Sequence, residues 1–341
     1  MPTHGLTVAV TGPTGDLGLS VVDALERSRA IKRVIGMARR PFDPAEQGWK
    51  KTEYRQGDVQ DAGSVADTVK GADVVVHLAF SVMGEGDRTR AINVDGSRTV
   101  FEAATAAGVE RLCYASSVAA YGFHADSPKW LTEDVPIRGT AEHYYSAQKA
   151  EVEGVLAEIL LRHPGVGAYV FRPCIVAGPR AQMLLQEMPY YRLSSSMPSA
   201  VVGLLSSMPM LRPVIPDPGN PMQLVHEADV ASAFLAGVRG IGKPGPYNLA
   251  GGGSVTMSDI ADALGWYSIP VPGPVVTATA EVIDRMPMAP AAMSWIHAVR
   301  RPVLMKTDLA RQVLKWKPEH TARATLKQMV AAHRAGEPAA L

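Results

Sequence analysis

The stretch HYYSAQKAE, residues 143–151, holds two tyrosines and a lysine whose spacing bears on chemistry. Tyr144 precedes Gln148 by four residues, and Tyr145 precedes Lys149 by four. On a helix, residues four apart share a face while immediate neighbours point roughly 100° away. Only the Tyr145/Lys149 pair then sets a phenol beside an ammonium. A phenol with a reference pKa near ~10 is a poor base at neutral pH, and an adjacent ammonium favours its phenolate. A phenol tuned in this way can exchange a proton with a carbonyl or an alcohol. The same spacing also arises on a partly exposed helix that makes an aromatic–aliphatic contact, so the rest of the chain decides between the two.

A second signal lies near the start of the chain. VAVTGPTGDLGLSVV joins an apolar run to a helix-period segment, with Gly12, Gly15 and Gly18 three residues apart. A dinucleotide pyrophosphate needs a turn tight enough for backbone N–H groups to reach it and a helix N-terminus aimed at its charge. Glycine permits that backbone and removes the Cβ that would block approach. Nucleotide binding is the expected use of this loop. After the second apolar run the chain reads GMARRP. Ala38 stands where an acid would hold the ribose 2′-hydroxyl of NAD, and Arg39 and Arg40 follow. A missing carboxylate beside two guanidinium groups suits a 2′-phosphate, so NADP is the expected cofactor and NAD the alternative. A solvated basic turn has the same composition.

The elements that must position these groups follow a simple rhythm. Short β-branched runs at 6–11, 33–38, 72–79, 111–117 and 167–173 alternate with helix-period segments such as LGLSVVDALERS, SVADTVKG and DGSRTVFEAATAAG. Nearly continuous apolar strands between helices imply a parallel sheet covered on both faces. The expected fold is α/β, a doubly wound parallel, Rossmann-like sheet with a smaller C-terminal substrate lobe. Residues 1–178 and 217–242 are assigned to the dinucleotide-binding domain, and 179–216 with 243–341 to the lobe. Residues 181–215 contain five methionines, four prolines and three formal charges (Glu187, Arg192 and Arg212). That texture suits an adaptable, largely apolar substrate mouth.

The totals exclude several classes. A chain of 341 residues is long for one compact core. Net charge is +1, from 34 basic and 33 acidic side chains, so no basic excess draws the protein to nucleic acid or an anionic membrane. Cys113 and Cys174 lie in apolar runs, as reduced core thiols do, and no metal site is expected. MPTHG runs straight into the first strand, leaving no room for a signal peptide. No uncharged apolar run approaches ~18 residues. A cytoplasmic protein acting on a small molecule is expected, with no nucleic-acid or membrane partner; a homodimer is compatible with these totals.

Taken together the motifs resemble the extended short-chain dehydrogenase/reductase family, also called the NAD-dependent epimerase/dehydratase family. TGPTGDLG looks like the family's glycine loop, implying cofactor contacts from Gly12, Thr14, Gly15, Asp16, Leu17 and Gly18. GDVQD, with Asp58 and Val59, is similar to the segment that meets the adenine. HLAF, with Leu78, Ala79 and Phe80, resembles the segment beneath the adenosine ribose. NVDGSRTVFEAA, led by Asn93, resembles the family's NVxGT helix. RPCIVAGP, with Pro173 and Ile175, resembles the turn near the nicotinamide, and VHEADVA and LKWKP resemble later signatures. ASSVAAYG and YSAQK look like the catalytic segments. The resemblance implies Ser117, Tyr145 and Lys149 as the catalytic residues, with Lys149 also holding the nicotinamide ribose and Tyr144 given no role.

The likeness spans almost the whole chain in order, and it speaks to fold more than to substrate. Where sugar dehydratases of the family carry an Asp-Glu pair after the serine, this chain has Val118 and Ala119, which cannot transfer protons. His77 and His226, in apolar runs, are expected to be structural, and the Glu133/Asp134 pair to be solvated. The reading is an NAD(P)-dependent oxidoreductase interconverting a carbonyl and an alcohol on a largely apolar small molecule. A nucleotide-sugar epimerase is the alternative, and a non-enzymatic NAD(P)-binding regulator is the alternative of another class.

Overall fold

The computed structural model describes residues 5–84, 86–186, 212–284 and 302–336. Seven strands form one parallel sheet: β1 (Leu6–Thr11), β2 (Ile31–Ala38), β3 (Thr52–Gln56), β4 (Val74–His77), β5 (Arg111–Ala115), β6 (Gly167–Pro173) and β7 (Gly245–Leu249). Their spatial order is β7-β6-β5-β4-β1-β2-β3. The chain reverses direction across the sheet between β1 and β4, which pair Val8 with Val74 through Thr11 with His77. In open parallel sheets such a reversal leaves a crevice outside the carboxyl ends of the strands.

Alternation along the strands explains the two covered faces. Val8 and Val10 pack in one core with Val74, Val76 and Val22 from helix α1 (Asp16–Arg27). Ala9 and Val75 point the other way, into a core shared with helices α2 (Ala62–Val69), α3 (Gly96–Ala106) and α4 (Tyr144–Arg162). Successive side chains of a strand alternate between faces, so strands apolar at both parities are buried on both. β3 is the exception. Its sequence TEYRQ has no apolar run and no fully buried residue, as an edge strand allows. Cys113 and Cys174 are free and buried, and burial pushes both thiols up.

A third core defines the lobe. Ala177, Ile215 and Leu224 pack there with Ile260 of α6 (Met257–Leu264) and Leu326 and Met329 of α7 (Ala322–Ala335). The start of α6 carries the Thr256/Asp259 capping box implied by the spacing. The domain boundary at 243 requires correction. β7, 245–249, pairs with β6 from Gly245–Tyr169 to Leu249–Pro173, and Met305, Leu314 and Trp316 join the core of the main sheet. The chain re-enters the main domain twice after it first supplies the lobe. GPYNL is short, so only its distant partner β6 shows where it belongs. Among the described residues, no helix is long and apolar enough to cross a membrane.

Candidate active site

The topology sets most of the singled-out residues in one row. Gly12 follows β1, Arg39 and Arg40 follow β2, Asp58 follows β3, Leu78–Phe80 follow β4, Ser117 follows β5 and Ile175 follows β6. Parallel strands bring all their carboxyl ends to one edge, so segments more than 100 residues apart in sequence meet there.

The glycine loop fits a dinucleotide. Gly12 has φ of +77°, and a Cβ on it would lie 2.8 Å from the Ala79 nitrogen. Gly12 donates its N–H to Met37 O and Leu78 donates to Thr11 O, which seats the loop on both neighbouring strands. Gly18 lies against the loop backbone, where a Cβ would stand 2.1 Å from Gly12 O. Gly15 instead faces open space: a Cβ there would meet only Gly12 O, at 3.8 Å. Gly15 is the N-cap of α1 and makes no side-chain cap, so the helix presents its first N–H groups outward. Thr14, Asp16 and Leu17 are partly exposed around it. Burial pushes the Asp16 carboxyl up to about 6, against the pull of its own backbone hydrogen bond.

Around the adenosine end, Arg39 and Arg40 are exposed. Gln56 Nε2 donates to Arg39 O, and the Tyr54 hydroxyl donates to Ala38 O and Arg40 O, so the backbone of this turn is anchored while its guanidinium groups extend from it. Asp58 is partly exposed and accepts from Gln60 N, while Val59 is buried beside Gly96. Asn93 is turned inward. It is fully buried, accepts from Ser81 N at 2.6 Å, and donates to Ser81 O and Gln148 Oε1 at 2.9 and 2.7 Å. Its work is to hold the segment after β4. Pro173 is also buried, and Ile175 is partly exposed.

The two tyrosines part company at the start of α4. His143 caps the helix, its Nδ1 accepting from Ser146 N. Tyr144 donates its hydroxyl to Val82 O at 2.5 Å, pinning the segment after β4. Tyr145 lies toward β5, its hydroxyl near enough to the Ser117 side chain for that side chain to favour the phenolate. Ser117 in turn caps the short 3₁₀ helix Val118–Tyr121, accepting from Ala119 N at 3.1 Å. The ring of Phe80 meets Tyr145 edge-on at 5.5 Å.

Lys149 is buried one turn below. Nζ donates to Ala115 O at 2.6 Å and lies 3.5 Å from the centre of the Phe80 ring. It stands 5.8 Å from the centre of the Tyr145 ring. This revises the simple picture of an ammonium that stabilises a neighbouring phenolate. Burial pushes Tyr145 up to about 12, with Ser117 pulling the other way, and burial pushes Lys149 down to about 7 against the carboxylate of Glu153. Desolvation disfavours both charged forms and is the largest cause of each shift. In this state the pair is a neutral phenol above a weakly basic amine.

Several functional neighbours were hidden from the sequence reading. The Phe80 ring under Lys149 was singled out only for the ribose segment. Glu133 is only partly solvated: Oε1 accepts from Asn248 N at 2.8 Å, and burial raises its carboxyl, whereas Asp134 is exposed. Glu133 and Asn248 lie 115 residues apart, so no local pattern signals their meeting. His77 is fully buried between the hydroxyls of Thr11 and Ser97, at 2.6 and 2.8 Å, and burial pushes it down to about 3. His226 caps helix α5 (Glu227–Val238), accepting from Ala228 N, and its Nε2 meets Gln328. Among the described residues no group of His, Cys, Asp and Glu could hold a metal ion. Most of the methionine-rich stretch 181–215 lies outside the described residues, which resume at 212.

Comparisons with known proteins show the family and the fold. The model of the NAD dependent epimerase/dehydratase family matches residues 8–250. The sterol demethylase protein B of Methylococcus capsulatus is 29% identical over 181 residues, 51% of this chain. That match spans about half of the curated relative, 52% of its length. Among solved structures, gox2253 superposes with a TM-score of 0.74 at 22% identity, covering 98% of this chain and 100% of that one. MoeE5, solved in complex with UDP-glucuronic acid and NAD, superposes with a TM-score of 0.72 at 20% identity, covering 97% and 99%. At these identities the two structures speak for the fold alone.

Proposed function

We propose that this chain, which belongs to the NAD-dependent epimerase/dehydratase family, is an NAD(P)-dependent oxidoreductase that interconverts a carbonyl and an alcohol on a largely apolar small molecule. The observation that carries this reading is the meeting of Tyr145 and Ser117 at the carboxyl end of β5, with Lys149 buried directly beneath. A nicotinamide dinucleotide, when bound, supplies or accepts the hydride. Tyr145 exchanges the proton with the substrate oxygen, Ser117 offers that oxygen a hydrogen bond, and Lys149 holds the ribose and biases the phenol. The presence of all three groups favours an enzyme over a regulator that merely binds nucleotide.

The substrate class rests on two observations. The Methylococcus relative is named for a sterol, an apolar carbon skeleton. Of Arg180, Arg192 and Arg212, the arginines in or beside the lobe that could answer a sugar-nucleotide diphosphate, Arg180 already donates to Asp23 at 2.6 Å. The UDP-glucuronic acid held by MoeE5 supports the second reading, a nucleotide-sugar epimerase. A screen of ketones, aldehydes, alcohols and nucleotide sugars, followed by nicotinamide absorbance, separates them. Net absorbance change with an apolar carbonyl supports the reductase, and sugar inversion without net change replaces it with the epimerase.

NADP is the cofactor this reading favours, because exposed Arg39 and Arg40 follow a strand that ends without a carboxylate. Replacing both arginines with glutamine should weaken NADP binding by about tenfold or more and leave NAD binding nearly unchanged, since each charge-assisted bond contributes about 1.5–3 kcal/mol. Titration of the two cofactors by fluorescence measures the difference. Equal affinity of the unmodified protein for both would overturn the preference.

A further inference from the structure

Behind the catalytic face lies a buried polar chain that the proposed reaction does not use directly. Glu153 stands one helical turn after Lys149 on α4. Its carboxylate forms a two-pronged pair with Arg172 of β6, Nε to Oε1 at 3.0 Å and Nη2 to Oε2 at 2.6 Å. The two side chains are only 6% and 10% exposed, Arg172 and Glu153 respectively. Glu153 Oε1 also accepts from the Ser116 hydroxyl at 2.5 Å, one residue before Ser117. Arg172 Nη1 donates to the Tyr121 hydroxyl at 2.9 Å, and that hydroxyl donates to Asn248 at 2.7 Å. Tyr121 ends the 3₁₀ helix that Ser117 caps. The pair therefore grips both sides of the segment that carries the serine.

We propose that Glu153, held by Arg172, is a positioning residue that fixes the Ser116–Tyr121 segment and, one helical turn from Lys149, supplies negative charge that favours the ammonium form. This rests on the functional reading given above. Among the described residues that act on Lys149, Glu153 is the source of such charge. Tyr114 of β5 meets Nζ with its neutral hydroxyl at 3.4 Å, Phe80 offers a ring face, and His77 of β4 is neutral. Tyr145 on the same helix is a neutral phenol. Burial lowers Lys149, and Glu153 is the opposing influence. Arg172 pairs with that carboxylate where both side chains are nearly out of solvent.

The sign follows. Removing the Glu153 charge drops the Lys149 midpoint below its value of about 7, so the amine is neutral at neutral pH and its charged form is confined to acid. The experiment follows the 13Cε resonance of Lys149 through a pH titration of the cofactor-free protein, which needs no substrate. Glu153→Gln should lower the midpoint by about one pH unit, a tenfold loss of charged lysine at neutral pH, and Glu153→Asp should restore most of it. If the unpaired Arg172 prevents Glu153→Gln from folding, Glu153→Gln with Arg172→Gln removes both charges and should show a smaller fall in the same direction, because the Arg172 charge no longer opposes the ammonium. An unchanged midpoint in the folded variant overturns the proposal, because a purely structural brace would not move it. Failure of the unmodified protein to turn over any carbonyl would instead strike the functional reading and leave this titration untouched.

Discussion

Tyr145→Phe should reduce turnover by about 10² or more while leaving cofactor affinity nearly intact. The substitution removes one oxygen, the one beside Ser117, and keeps the ring that packs against Phe80. Tyr144→Phe is the matched control, since it removes an equivalent hydroxyl one residue away. That hydroxyl holds Val82 O, so its loss should weaken the segment after β4 by about 1 kcal/mol and leave turnover within a few-fold. Single-turnover rates with a reducible carbonyl, paired with cofactor titration, measure both. Comparable losses in the two variants would remove Tyr145 from its role.

Gly18→Ala should destabilise the protein by about 1–3 kcal/mol and weaken cofactor binding by tenfold or more, because the added Cβ meets the Gly12–Pro13 backbone. It would lie 2.1 Å from Gly12 O and 2.7 Å from the Pro13 carbonyl carbon, and neither can swing away as a side chain could. Gly15→Ala should behave oppositely. Its Cβ projects into open space above the helix N-terminus, so stability should stay within about 0.5 kcal/mol while a diphosphate is kept from the N–H groups. Thermal unfolding and cofactor titration of both variants separate the two effects. Equal stability losses would mean that Gly15 serves packing and not approach.

Much of this protein is legible along the chain because the relevant forces act over a few residues. The run LTVAVT followed by TGPTGDLG specifies a buried strand, a left-handed turn at Gly12 and an open helix start, each set by local sterics. The four-residue spacing of Tyr145 and Lys149 puts them on one face of α4 whatever surrounds them. Other features answer to partners far away. β7 belongs to the main sheet only because β6 lies beside it, and a five-residue run carries no mark of which sheet it will join. Polar TEYRQ becomes the edge strand β3 because β2 offers it hydrogen bonds.

The same division runs through the active site. Spacing alone distinguishes Tyr145 from Tyr144 as the partner of Lys149, but not what surrounds either. Only the folded chain gives Tyr144 to Val82, Tyr145 to Ser117 and the ammonium of Lys149 to Ala115 and Phe80. Charge state is the extreme case. An ionisable group responds to the solvent it loses and to every charge near it, and those neighbours arrive from β4, β5 and β6. The sequence by itself determined the alternation of strands and helices, the glycine loop after β1 and the side chains that make up the candidate site. The tertiary structure decided their protonation, their partners and the buried Glu153–Arg172 pair behind them, because desolvation and long-range pairing exist only once distant segments have packed.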